Sequence, residues 1–386
     1  MTSTAIQPGA TLGVMGGGQL GRMFVHAAQR MGYFTAVLDP DADSPAGRVS
    51  HRHVHADYLD EKGLAELAGC SEAITTEFEN VPATALARLA KLRPVAPGAE
   101  AVETAQDRAR EKAHFTRCGV PCAPYAVIET QPQLDAVEAA LLPGILKTAR
   151  LGYDGKGQQR VTTREELAAA WDGLQRVPCV LEQMLPLAAE CSVIVARGAD
   201  GCMVHLPPQL NLHREGILAV TQVWDGTLPP AQAQQAIAAT ESIAQGLGYV
   251  GVLCVEFFVL ADGSLVVNEM APRPHNSGHW SMDGCDVSQF ELQVRTLAGL
   301  PLTAPRQHSA AVMLNLLGDL WFRDGAGCSP AWEAVLKLPG THLHLYGKLD
   351  ARPGRKMGHL NVTAATGPQA RDTALAAAAL LGIAPF

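Results

Sequence analysis

Glu256 and Glu269 are the two residues of this chain whose spacing points most directly to chemistry. They flank Asp262-Gly263, a turn signal set between the apolar runs VLCVEFFVL and SLVVNEM. A two-residue hairpin loop there pairs Ala261 with Ser264, and the register carried outward sets Glu256 opposite Glu269 on one face of the sheet. Like charges directly opposed destabilise a strand pair unless something compensates them. A divalent cation does so, and carboxylates that hold Mg²⁺ beside nucleotide phosphates are a common arrangement. The bland alternative is two acids on a wet strand face, and the apolar residues around both argue against it.

Four further segments carry functional groups at informative spacing. Gly16-Gly17-Gly18-Gln19-Leu20-Gly21 satisfies G-x-G-x-x-G after a strand, and Asp39 follows the second strand where a ribose-binding acid would sit. Alone, that pattern also suits a turn that packs helix on strand and binds no dinucleotide. Lys147–Gly157 mixes glycines and lysines around Tyr153 and Asp154, a composition that reads as a mobile loop closing over phosphates rather than a core segment. Ala271–Trp280, APRPHNSGHW, excludes regular structure and suits an anion-binding loop. Lys348 and Arg352-Pro353-Gly354-Arg355-Lys356 form a basic knot suited to gripping a phosphate. His51, His53 and His55 alternate as metal ligands do, but no cysteine or further acid cluster completes a site, and His342 and His344 read as one face of a strand.

The elements that must position these groups follow from periodicity. Short apolar runs at Thr11–Met15, Thr35–Leu38 and Ala73–Thr76 alternate with helices at Leu20–Met31, Leu64–Leu67 and Pro82–Ala90, which predicts a parallel sheet with helices on both faces. A charged helix over Asp107–Cys118 leads to Val120-Pro121, read as a strand entry. Strands at Ile145–Thr148, Gln159–Val161 and Cys179–Gln183, with helices at Arg164–Leu174 and Ala231–Gly246, make an α+β unit with antiparallel pairing. Beyond Pro301 come strands at Ala311–Leu316, His342–Tyr346 and Gly358–Val362, then a helix across Asp372–Leu381.

The totals agree with three compact units. A length of 386 residues exceeds one ordinary core. Hydrophobic residues at 47% and charged ones at 18% describe a globular chain. A net charge of -8 disfavours general affinity for nucleic acid or acidic membrane. Nine scattered cysteines without a C-x-x-C pair fit reduced thiols in a cytosol, and neither an export signal nor a membrane span is expected.

Together, GGGQLGRM, TEFENVP at Thr76–Pro82, LGYDGKGQ, the Glu256/Glu269 hairpin, APRPHNSGHW and RPGRKMGHLN resemble the 5-(carboxyamino)imidazole ribonucleotide synthases, a family of ATP-grasp ligases. The resemblance implies a Rossmann-like domain over 1–103, an ATP-grasp domain over 104–300 and a β-rich C-terminal domain over 301–386. It implies carboxylation of aminoimidazole ribonucleotide with bicarbonate at the cost of ATP, in a cytoplasmic homodimer that uses Mg²⁺ or Mn²⁺. Arg108 and Lys147 would contact ATP phosphates, and Gly152, Tyr153, Asp154, Gly155, Lys156, Gly157 and Gln158 would form the closing loop. Glu182, Gln183, Met184 and Leu185 would border the adenine, Glu190 the ribose, and His213 the nucleotide. Glu256 and Glu269 would hold the metal, with Asn268 adjacent. Tyr153, Asp154, Lys156, Arg273, His275, Lys348, Arg355 and Lys356 would surround the second substrate, joined by Gln19, Leu20, Glu77 and Glu79. Asp154 or His275 would take the amine proton. Two positions depart from the family pattern: Ala271 stands where many ATP-grasp proteins have asparagine, and Leu151 where some relatives have glycine.

Three alternatives differ in what they leave unexplained. A sister ligase or transformylase acting on a ribonucleotide shares the same parts. An NAD-dependent oxidoreductase uses only the first glycine cluster and Asp39. A non-catalytic nucleotide-binding module has no use for a second basic site.

Overall fold

The computed structural model describes residues 5–152, 157–323 and 326–386. Its N-terminal part alternates β1 (Thr11–Met15), α1 (Gln19–Arg30), β2 (Phe34–Asp39), β3 (Arg52–His55), α2 (Glu61–Cys70), β4 (Ala73–Thr76), α3 (Ala83–Leu89) and α4 (Ala99–Ala105). The strands form a parallel sheet in the order β3-β2-β1-β4. Leu12, Val14 and Met15 are fully buried, as expected of a strand covered on both faces.

The middle part opens on α5 (Arg108–Arg117), whose N-terminus is capped by Asp107 accepting from the Ala109 and Arg110 amides at 3.0 and 3.2 Å. A four-stranded antiparallel sheet follows, ordered β5 (Tyr125–Ile128), β8 (Cys179–Gln183), β6 (Gly144–Thr148), β7 (Gln158–Val161). It is backed by α6 (Gln131–Asp135) and α7 (Arg164–Gly173). No strand begins at Val120-Pro121: Cys122 makes only an isolated bridge to Val267, and β5 starts at Tyr125.

A larger sheet then forms from β9 (Leu187–Arg197), β10 (Met203–His205), β11 (Gln209–Arg214), β12 (Ile217–Val223), β13 (Gly251–Leu260) and β14 (Leu265–Ala271), with α8 (Pro230–Gly246) on one face. The sequence reading missed β9 to β12. After α9 (Ser281–Gly284) and α10 (Gln289–Ala298), β15 (Ala310–Leu317) pairs with β12 and extends the same sheet. Beyond a small pair, β16 (Phe322–Arg323) and β17 (Ala326–Gly327), and the short α11 (Trp332–Val335), the edge is built from β18 (Thr341–Leu345) and β19 (Lys356–Ala364), with α12 (Gly367–Leu381) packed behind. The large sheet runs β14-β13-β9-β11-β12-β15-β19-β18, so the C-terminal strands continue it instead of forming a sheet of their own. Helix α10 joins it to the N-terminal part: Leu292 packs on the large sheet, while Val294, Leu297 and Ala298 pack against Leu12 and Val14.

The β13–β14 hairpin corrects one expectation. Its loop holds three residues, not two, because Leu260 N–H donates to the Ser264 carbonyl and Gly263 takes a positive φ of 85°. The register is therefore shifted by one through Phe257↔Val267. A bulge at Asn268 then restores it, so Glu256 does stand opposite Glu269.

Candidate active site

Two adjoining cavities lie where the N-terminal part, the large sheet and the basic knot meet. The larger, about 800 Å³, runs from Gly18 and Gln19 to Lys348 and Arg355. The smaller, about 140 Å³, is bordered by Arg108, Glu111, Glu256 and Glu269. Glu79, Arg273, His275 and Lys356 line both and so form a shared wall. The sequence-predicted metal pair and the sequence-predicted basic knot thus open on opposite sides of the same four residues.

In the smaller cavity Glu269 Oε2 accepts from Arg108 Nη1 at 3.2 Å. Glu256 Oε1 and Asn268 Oδ1 are buried oxygens without a hydrogen-bond partner. Burial, and then the Glu269 charge, push the Glu256 carboxyl up to about 7, with His213 acting in the opposite sense. Two carboxylates opposed across a strand pair, one with an unpartnered buried oxygen, are donors that suit a hard divalent cation, so these residues fit Mg²⁺.

A buried ion cluster joins α5, β6 and β8. Glu182 receives Lys147 Nζ at 3.0 Å on one oxygen and Lys112 Nζ at 3.2 Å on the other. Burial raises the Glu182 carboxyl, but Lys147 and Lys112 outweigh it and hold it below the usual range. Burial lowers the Lys147 ammonium, against the pull of Glu182. Two lysines on one carboxylate leave a surplus positive charge where a polyphosphate would answer it. Nearby, His213 Nδ1 lies 2.7 Å from Glu190 Oε2. Burial alone would lower that imidazole, yet the Glu190 bond and the Glu256 charge raise it above the ordinary value.

Sequence reasoning missed Lys112 and Glu111. With Arg108 and Phe115 they fall at i, i+3, i+4 and i+7 on α5, one helix face, and the residues at 111, 112 and 115 are buried. A buried face carrying three charges was the available signal. Glu111 accepts the Met270 amide at 2.7 Å and so ties α5 to β14 beside Glu269. Burial pushes its carboxyl up to about 8.

On the other side of the shared wall, Arg273 Nε donates to Glu79 Oε2. Burial raises the Glu79 carboxyl, but Arg273 outweighs that and holds it low. Burial, then Arg273 and Lys356, depress the His275 imidazole well below its ordinary value. Lys348 Nζ donates to Gln19 Oε1 at 2.5 Å, which joins the basic knot to the start of α1. Leu20 also lines the larger cavity. Glu77 spans the amides of Gly18 and Gly21 at 2.9 and 3.0 Å, and Asp39 accepts from Gly17 N–H and the Tyr58 hydroxyl, both at 2.6 Å. The positions expected of a dinucleotide phosphate and ribose are therefore taken by the protein's own groups.

Of the expected loop, Tyr153, Asp154, Gly155 and Lys156 lie outside the described residues. Gly152 lines the smaller cavity, Gly157 accepts the Thr148 amide at 2.9 Å, and Gln158 is exposed at the start of β7. Leu151 takes φ 62°, the left-handed conformation glycine would accept freely. Gln183, Met184 and Leu185 follow one another from the end of β8 towards β9, with Gln183 and Met184 held by their amides to the Pro124 and Pro143 carbonyls at 2.9 Å each. The discounted histidines sit elsewhere: His53 and His55 contact the Asp39 and Pro40 carbonyls, His51 sits against Thr35, and His344 pairs with Asp283 at 2.7 Å.

Models of three protein families match the chain: a ribonucleotide synthetase preATP-grasp domain over residues 9–106, an ATP-grasp domain over 113–290 and a phosphoribosylaminoimidazole carboxylase C-terminal domain over 311–373. The N5-carboxyaminoimidazole ribonucleotide synthase of Brucella melitensis is 44% identical over 363 residues, 93% of this chain and 98% of that protein. The structure of the Staphylococcus aureus enzyme complexed with ADP superimposes with a TM-score of 0.89 at 36% identity, covering 97% of this chain and 98% of that one. The Aspergillus clavatus enzyme in complex with ADP and 5-aminoimidazole ribonucleotide gives 0.87 at 30% identity, with 97% and 98% covered. Such identity over nearly full length means that the chain belongs to the N5-carboxyaminoimidazole ribonucleotide synthase family of ATP-grasp ligases.

Proposed function

We propose that the chain joins bicarbonate to the 5-amino group of 5-aminoimidazole ribonucleotide, cleaving ATP to ADP and phosphate, as a step of purine biosynthesis. The observation that carries this reading is the wall shared by the two cavities. A group activated on the glutamate side and a substrate held on the basic side would meet at these four residues, Glu79, Arg273, His275 and Lys356.

Bicarbonate is a poor electrophile because its leaving group would be hydroxide. Transfer of the γ-phosphoryl group to a bicarbonate oxygen gives carboxyphosphate and ADP. Cleavage of its C–O bond to phosphate then frees CO₂ beside the amine, which attacks carbon and loses a proton. Glu256 and Glu269, with Asn268 beside them, would hold Mg²⁺, which supplies positive charge against the phosphoryl group in transit. Arg108 and Lys147 would meet the ATP phosphates, Lys112 and Glu182 would keep Lys147 in place, and Glu190 with His213 would take the ribose. On the other side, Lys348 and Arg355 would hold the ribonucleotide phosphate, while Arg273, His275 and Lys356 face the carboxyl group. Residues 1–103, 104–300 and 301–386 would be the working divisions of the chain. A cytoplasmic homodimer is the form we expect; among the described residues no helix is long and apolar enough to cross a membrane.

Phosphate release from Mg-ATP, measured with each of bicarbonate and the ribonucleotide omitted in turn, tests the reading. Release that needs both supports it. Release unaffected by the ribonucleotide would refute it.

A further inference from the structure

Beneath His275 the large sheet carries a row of buried polar side chains not yet given a role. Thr221 on β12, Asn211 on β11 and Ser192 on β9 share one sheet face: Asn211 stands opposite both Thr221 and Glu190, and Ser192 lies two residues beyond Glu190. Ser277, in the turn after β14, closes the row. Thr221, Ser192 and Ser277 are wholly buried and Asn211 nearly so. Such groups are costly in a core unless each is bonded, and here each is.

Their bonds run in one direction. Thr221 Oγ1 donates to Asn211 Oδ1 at 3.0 Å, which leaves Asn211 Nδ2 to donate to Ser192 Oγ at 2.8 Å. Ser192 has one proton and two acceptors within reach, Ser277 Oγ at 2.8 Å and Gln209 Oε1 at 3.0 Å. Ser277 Oγ in turn lies 2.9 Å from His275 Nδ1. The decisive contact is the Ser277 backbone N–H, which points at the same nitrogen from 3.3 Å. An amide N–H only donates, so Nδ1 is an acceptor without a proton, and the Ser277 hydroxyl donates to it as well. In the neutral ring the proton then sits on Nε2, since the bond made by one ring nitrogen sets the state of the other. Nε2 faces Glu256 Oε1 at 3.7 Å, on the wall shared by the two cavities.

We propose that Ser277, backed by Ser192 and Asn211, is a positioning residue that locks His275 in the tautomer protonated at Nε2, and that His275 is therefore a hydrogen-bond donor to the carboxyl group in transit rather than the base that takes the amine proton. In that step the amine nitrogen bonds to the CO₂ carbon. Its released proton goes to the phosphate just freed from carboxyphosphate, giving carbamate and hydrogen phosphate. What the donor meets rests on the carboxylation reading; the tautomer itself does not.

The test uses full-length protein labelled with ¹⁵N-histidine and saturated with Mg-ADP, in which imidazole nitrogen shifts tell a protonated from an unprotonated nitrogen. His275→Gln assigns the resonances. The wild type should show an unprotonated Nδ1 and a protonated Nε2. Ser277→Ala, which loses the hydroxyl contact at 2.9 Å and keeps only the longer amide contact at 3.3 Å, should move both shifts part of the way towards the average of exchanging tautomers and lower kcat by about tenfold, with both KM values changed less than about twofold. Ser277→Thr, which keeps a hydroxyl, should restore both readouts. His275→Gln, which offers an amide N–H at similar reach, should keep more activity than His275→Leu. A proton on Nδ1 in the wild type, unchanged shifts in Ser277→Ala, or His275→Gln no more active than His275→Leu would each overturn the proposal. Shifts as expected in a protein that cleaves ATP without bicarbonate would instead count against the carboxylation reading and leave the lock standing.

Discussion

Gly18 donates its amide hydrogen to Glu77 Oε1 at 2.9 Å, so the N-terminus of α1 is already answered by a carboxylate from the chain itself. Helix N-termini after glycine-rich turns attract phosphates because their amides are unpaired and their dipole is positive. Glu77 removes both attractions, and the oxidoreductase reading of the glycine cluster fails on that contact. The glycines serve the carboxylate's approach: a Cβ at Gly18 would stand 2.5 Å from Glu77 Oε1. Gly18→Ala should therefore displace Glu77 from its amides and destabilise the protein by about 1–3 kcal/mol, the cost of leaving buried groups unpaired. Thermal unfolding checks this, and an unshifted midpoint would mean Glu77 does not need the space.

Glu269→Gln keeps an oxygen for Arg108 but removes one charge from the glutamate pair. ATP cleavage should fall by about a hundredfold or more, and partly recover at raised Mg²⁺. Because Glu269 is 41% exposed, stability should stay within about 0.5 kcal/mol. Ordinary turnover by this variant would show that Glu269 holds no metal.

Glu111 makes stability depend on pH in a stated direction. Its folded pKa of about 8 stands above the ordinary 4.5, so the stability it contributes is complete below about 4.5 and is lost as pH rises towards 8. Glu111→Gln keeps an acceptor for the Met270 amide without the titration. In denaturant titrations without nucleotide, the variant should gain on the wild type from pH 4.5 to about 8, after which the gap should level. Parallel curves would mean the carboxyl is not buried as described.

Arg355 opens on the larger cavity, away from the glutamate pair, with Nη1 donating to the Asp350 carbonyl at 2.8 Å. Arg355→Ala should raise KM for the ribonucleotide by about tenfold, the loss of one charge-assisted contact, and leave KM for ATP nearly unchanged. The opposite split would move the ribonucleotide phosphate elsewhere.

The cross-strand pairing of Glu256 with Glu269 is legible in sequence because side chains and a turn signal coincide there. Even there the route differs: the turn is one residue longer than Asp-Gly alone suggests, and the bulge at Asn268 compensates. Strands β9, β11 and β12 are less legible because their inward face is polar over Glu190, Ser192, Asn211 and Thr221, which breaks the apolar alternation that marks a half-buried strand. The β11–β12 turn is Glu215-Gly216, with φ 51° and 78°, a primed turn without the usual Asn or Asp. Lys112 and Glu111 escape notice because a charged helix reads as a solvated face until its partners, Glu182 and Met270, are in place. These are long-range facts, carried by residues far apart in the chain.

In the proposed reaction an oxygen of bicarbonate attacks the γ-phosphorus of ATP. Bicarbonate labelled with ¹⁸O tests it directly, through the mass of the phosphate released while the ribonucleotide is carboxylated. One ¹⁸O atom should appear in each phosphate formed, because the bridging oxygen of carboxyphosphate comes from bicarbonate and leaves with phosphorus. Phosphate free of label, released at the same rate as carboxylated product, would contradict the account, since water rather than bicarbonate would then be the acceptor.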